Sequence, residues 1–187
     1  VSTVTATTNN GSYKADDEIY ITITFTEAVT VEGIPQLTLE TGSSDAVINY
    51  LSGTGTATLT FKYTVATGQN SSDLDYTGAD ALALNSGAIK DSENRNAYLT
   101  LPTPGEANSL AANKALLIDT AVPTVASVSS TTANGRYRTD DVIAITVEFS
   151  EVVTVTGTPQ LTLETGSSDA VVNYVSGSGS STLLFNY

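Results

Sequence analysis

The chain has 187 residues, a formal net charge of −13 and no Cys, His, Met or Trp. Without imidazole or thiol there is no Ser-His or Cys-His nucleophile pair and no nitrogen–sulfur metal site, so only carboxylates, amides, hydroxyls and backbone carbonyls are left for chemistry. Seven Lys and Arg against twenty Asp and Glu cannot assemble a basic face, so neither nucleic acid nor an anionic membrane surface is expected as a partner.

A hydrophobic fraction of 40% is enough for packed cores. No apolar run approaches the roughly 18 residues needed to span a bilayer, so direct membrane insertion is not expected. In chain order, residues 1–8 read as a first strand, closed by the turn-forming cluster Asn9, Asn10, Gly11 and Ser12. Residues 19–25 alternate with period two: Ile19, Ile21, Ile23 and Phe25 share one face, and Tyr20, Thr22 and Thr24 the other. The stretches PQLTLETG and DAVINYLS follow as strand candidates. After them, Leu59, Phe61 and Tyr63 oppose Thr58, Thr60 and Lys62 in the same way. GAIKD, NAYLTL and NKALLID are further strand candidates, and residues 105–112 (GEANSLAA) have room for one short helical turn. No window sustains a 3.6-residue period.

Self-similarity decides the organisation. Residues 10–63 return as residues 134–187 at a constant offset of 124, seen at Gly11 and Gly135, Pro35 and Pro159, and Tyr63 and Tyr187. About 40 of the 63 aligned positions are identical, far more than shared composition produces. About seven or eight short strands per unit, joined by tight turns, predict an all-β chain of tandem antiparallel immunoglobulin-like β-sandwiches. Residues 1–123 form a complete repeat and residues 124–187 the N-terminal half of a second copy. The half copy, with the lack of an initiating Met or a signal-like segment, reads as a fragment of something longer. Completion of the half copy by another chain is the alternative.

Up-and-down bookkeeping along these strands places Asp16, Asp17, Asp91 and Asp119 at one pole of the first unit. It places Glu27 at the other pole, and its repeat equivalent Glu151 facing the junction. Carboxylates converging without Lys or Arg repel one another, and a hard divalent cation taking six to eight oxygen ligands relieves that repulsion. Calcium at the interdomain junction is therefore the expected cofactor.

The run NGSYKADDEIYITITFTEAVTVEGIPQLTLETGSSDAVINYLSGTGTATLTFKYTV, followed by ALALNSGAIKDSENRNAYLTLP and NKALLIDTAVP, resembles the tandem immunoglobulin-like or cadherin-like repeats of giant bacterial surface adhesins. Those adhesins are of the type I secreted, RTX kind. The resemblance implies an extracellular, cell-surface extender whose repeats stand between the cell and a ligand-binding domain, with calcium stiffening the linkers. It carries a ligand role to Glu27 and Glu151 in the F-[ST]-E motif, to Asp91 in the KDSEN loop and to Asp119 in the IDTAVP linker. The loop departs from the commoner D-x-x-G-N form in having Glu93 where Gly is usual. The expected partners are neighbouring repeats of the same chain and, in a filament, other copies of it.

Other functions fit less well. A carbohydrate-binding module needs exposed aromatic platforms, and the chain has only nine Tyr and four Phe. An ice-binding Thr array needs a flat sheet, which twist spoils. Asp73 and Asp75 in SSDLDY read as a surface turn rather than a glycosidase pair, so no enzyme activity is expected. A self-assembling filament subunit remains an alternative, because an incomplete second unit exposes strand edges.

Overall fold

The computed structural model describes residues 1–187. The chain forms two compact units, Val1–Ala121 and Val122–Tyr187. The first contains β1 (Thr3–Ala6), β2 (Gly11–Tyr13), β3 (Glu18–Glu32), β4 (Gln36–Glu40), β5 (Ala46–Ser52), β6 (Thr56–Thr64), β7 (Asp75–Tyr76), β8 (Leu82–Ala83) and β9 (Ala88–Lys90), then the one-turn helix α1 (Leu110–Asn113) and β10 (Leu116–Ile118). The second contains β11 (Val125–Ser130), β12 (Ala144–Val153), β13 (Gln160–Leu163), β14 (Ala170–Ser176) and β15 (Ser180–Asn186). The chain is all-β, in curled and mainly antiparallel sheets.

Strand β3 organises the first unit. Its inward residues Ile19, Ile21, Ile23 and Phe25 are all buried, as period-two alternation requires of a strand with one wet face. It pairs with β1 on one side, Thr3 opposite Thr24, and with β6 on the other, Ile21 opposite Phe61. After a register shift between Thr24 and Val29 the strand still meets β6, Val29 opposite Thr56, and its last residues pair with β9, Thr30 opposite Lys90. A bulge bends and twists a strand, and here it lets one strand serve two sets of partners. Strand β4 is shared likewise, with β5 on one edge and both β7 and β8 on the other.

Ten strands are present in this unit where seven or eight were expected, because several are pieces of two or three residues. NAYLTL is not one of them. Asn96 makes a single bridge to Lys90, after which Ala97 N–H donates to Ile89 O and Leu101 N–H to Ala79 O. Its backbone is divided between two partners and never settles into one ladder. The helical turn lies at Leu110–Asn113, with the buried Ser109 side chain accepting from Ala112 N–H as N-cap. Strands β2 and β10 pair in parallel, against the antiparallel expectation. They lie about a hundred residues apart in the chain, so no hairpin dictates their direction.

The second unit repeats the register of the first. Ile145 opposes Phe185 as Ile21 opposes Phe61, and Gln160 opposes Asn173 as Gln36 opposes Asn49. Its turns are repeated too. Gly53 and Gly177 have φ of 114° and 112°, and a Cβ on either would lie 2.1 Å from the carbonyl oxygen of Thr58 or Thr182. Only glycine fits such a position.

Candidate functional site

Three of the predicted acids lie at one end of the first unit. Asp17 accepts from Lys14 N–H through Oδ2 (2.9 Å), and Asp16 N–H donates to Val65 O (2.9 Å). Asp16 takes a left-handed φ of 72°, a conformation that Asp tolerates in turns. Asp119 N–H donates to Tyr13 O (2.9 Å), which brings Asp119 to this end, and its Oδ1 accepts from Ala121 N–H (3.0 Å). The second unit rebuilds the same turn, with Asp140 at φ 73° and Asp141 Oδ2 accepting from Arg138 N–H (2.7 Å). The turn is therefore made by local sequence, and its carboxylates fold it.

Asp91 is not in this group. It lines a cavity of about 420 Å³ together with Val1, Phe25, Glu27, Arg95 and Tyr98, which is the end of the unit that Glu27 was expected to occupy. The bookkeeping had assumed that each strand crosses the whole unit. Strand β9 is only three residues long and runs antiparallel to the tail of β3, so the loop that follows it returns beside Glu27.

The Asp91 carboxylate, 10% exposed, is fully engaged. Its Oδ1 accepts from the backbone N–H of Glu93 and of Arg95 (2.9 Å each), and its Oδ2 from Arg95 Nε (2.6 Å). The Arg95 backbone N–H leads in holding the Asp91 carboxyl below its usual range, with the Arg95 side chain and the Glu93 N–H adding. The guanidinium is pushed up in return, chiefly by its bond to Asp91, with the Glu27 charge a smaller cause. Glu93 ion-pairs with the same guanidinium through Nη2.

The five predicted residues of the first unit thus fall into two places. Asp16, Asp17 and Asp119 lie at one end of the first unit, Glu27 and Asp91 at the other, and Glu151 on β12 of the second unit. Within neither unit do three carboxylates gather closely enough to hold a metal ion. Glu27 and Asp91 share their end with one arginine, and neither unit by itself supplies the six to eight oxygens calcium takes.

Sequence reasoning missed two residues. Asp75 is buried rather than in a surface turn. It accepts from Tyr76 N–H and Gly105 N–H (2.9 Å each), tying β7 to the loop before α1. No spacing in SSDLDY signalled this. Tyr98 is 90% exposed at the cavity, within NAYLTL, which reads from sequence only as a strand candidate. Comparison with protein-family models, with curated proteins and with solved structures finds no match to this chain.

Proposed function

We propose that the chain is built of tandem extender repeats, immunoglobulin-like β-sandwiches that act as spacers in a bacterial cell-surface adhesin. The observation that carries this reading is the residue-for-residue repetition of strands, register and turns at an offset of 124. A spacer needs a unit that forms the same strand register and turns each time it recurs along the chain, and that recurrence supports the reading. The acidic surface keeps such repeats apart from one another. Calcium enters as a stiffening ion of the kind the family resemblance implies.

The test is small-angle scattering of chains with one, two and three repeats, in calcium and in EGTA. Maximum dimension should grow by a constant increment per repeat, and the increment should shrink or scatter without calcium. Dimensions that plateau with repeat number would sink the spacer reading; equal dimensions in both buffers would remove calcium from it.

One observation favours a second reading, a carbohydrate-binding module. Tyr98 stands exposed at a cavity that also presents Glu27, Asp91, Arg95 and Asn96, and a flat aromatic beside paired polar groups suits a sugar ring. Binding on a glycan array that Tyr98→Ala abolishes would favour this reading over the spacer.

A further inference from the structure

Strand alternation does not account for the one parallel pair in the chain, β2 with β10, in which Gly11 lies opposite Leu116 and Tyr13 opposite Ile118. That pair is the far part of a longer seam. Residues 3–13 lie against residues 108–119, and the residue numbers rise together along both. Val4 N–H donates to Asn108 O (2.9 Å), and Asn113 Nδ2 donates to Thr3 Oγ1 (3.0 Å) and to Val4 O (2.8 Å). Lys114 Nζ donates to Thr8 O (2.6 Å), and Ala115 N–H to Asn10 Oδ1 (3.2 Å). The ladder follows, opening with Gly11 N–H to Ala115 O (3.0 Å) and closing with Asp119 N–H to Tyr13 O (2.9 Å). The side chains of Asn10, Asn113 and Lys114 thus extend a short ladder back as far as β1.

The ends of the seam are the ends of the unit. Val1 lines the cavity at the Glu27 end, and Asp119, bonded to Tyr13, lies at the end of the Asp16–Asp17 turn. Tension between Val1 and Ala121 therefore acts along β1 and β10. It draws residues 3–13 back toward Val1 and residues 108–119 forward toward Ala121, so the two segments are pushed to slide past each other. Because the segments are parallel, every hydrogen bond across the seam is strained at once. A pull that parted the segments from one end would break the same bonds one after another. Residues 14–107 form a loop that the seam closes, and they are not stretched while it holds.

We propose that this seam is how the first unit resists stretching: residues 3–13 and 108–119 hold in shear when the chain is pulled between Val1 and Ala121, with Asn113 and Lys114 as side-chain anchors. The inference rests on the spacer reading for its purpose, since a spacer held at both ends carries tension.

The test is force spectroscopy on the full 187-residue chain, whose lack of native cysteine lets two introduced ones serve as handles. Handles at Ser2→Cys and Val122→Cys pull the seam in shear. Handles at Ser2→Cys and Glu106→Cys, both at its Val1 end, peel it. At one loading rate the shear pair should need the higher force, and it should release about 400 Å of chain in a single step. Asn113→Ala combined with Lys114→Ala removes the three side-chain donations to Thr3, Val4 and Thr8. Unfolding in shear should then be faster by at least about tenfold. Leu82→Ala, in the buried part of β8 and outside the seam, should lower stability to urea at least as much and speed unfolding in shear less.

A force in shear no higher than in peeling would overturn the proposal. So would a double variant that unfolds in shear no faster than Leu82→Ala. Either result leaves a constant scattering increment per repeat untouched, so loss of the seam and loss of the spacer reading are told apart.

Discussion

The two units present nearly the same first 63 residues in two settings, one with the rest of the repeat and one without. In the complete unit 24 apolar residues are buried in one cluster; in the other, Val147, Val172, Leu183 and Phe185 alone are. Strand registers and glycine turns are the same in both, whereas strand ends and depth of burial are not. The difference separates what the local sequence makes from what packing makes. Hairpin register, turn conformation and the inward face are local. The full length of β3, the existence of β2 as a strand and the dryness of Val4 and Tyr63 come from residues 64–121.

The largest effect expected from this division is at Val4 and Val128. Val4 is tied to α1 and to the turn before it: its N–H donates to Asn108 O (2.9 Å), and its carbonyl accepts from Asn113 Nδ2 of α1 (2.8 Å). Val4→Asp should cost the first unit at least about 4 kcal/mol, since it buries an unpaired carboxylate. Val128→Asp should cost the second unit no more than about 0.5 kcal/mol. Residue-resolved amide exchange measures both at once. Equal losses would mean that Val128 is covered in solution and that the comparison fails.

Gly53→Ala and Gly177→Ala probe the shared, local part and should cost the same in both units. Each Cβ would meet a backbone carbonyl at 2.1 Å, and each φ is positive, so a loss of about 3 kcal/mol is expected at either site. Urea titration followed by unit-specific signals provides the check. A much smaller cost in the second unit would show that the half unit relaxes its turns, and that less of the fold is local than the register suggests.

How far the fold was legible in the sequence follows the same division. The alternation of Ile19, Ile21, Ile23 and Phe25 forecast the β3 face, and the Gly-rich spacers forecast the turns, because neighbours in the chain determine both. The bulge between Thr24 and Val29 recurs between Glu148 and Val153 in the second unit, which has no counterpart of β9, so it belongs to the local part although no spacing in the sequence marked it. What misplaced Asp91 is β9, whose three residues pair with the tail of β3 and return the following loop beside Glu27. The ring of donors around Asp91, two backbone N–H groups and Arg95 Nε, lies within four residues, so the acid–arginine pair was visible in DSENR while its place in the unit was not. Asp75 was illegible for another reason. Its partner Gly105 is thirty residues away, and the second copy ends before any equivalent that could show the position repeating.

The smallest effect separates the units by pH. Burial pushes the Tyr63 hydroxyl up to about 12, and burial, then the neighbouring Asp75 charge, pushes Tyr76 up as well. Tyr63 donates to Gln69 Oε1 (2.8 Å), a bond that ionisation would remove. A raised acid constant in the folded state means that the folded protein holds its proton more tightly than the unfolded chain does. The resulting stability is fully present below the ordinary tyrosine value of about 10 and is lost as pH rises from there toward 12. For Tyr63 the loss is on the order of 2 kcal/mol. The equivalent Tyr187 is open to water, and the second unit has no counterpart of Tyr76. Raising the pH from 9 to 12 should therefore lower the stability of the first unit by more than that of the second. Tyr63→Phe should remove part of that alkaline slope and leave the second unit unchanged. A slope that survives the substitution intact would move its origin away from Tyr63, to Tyr76 or to the charge of the unfolded chain.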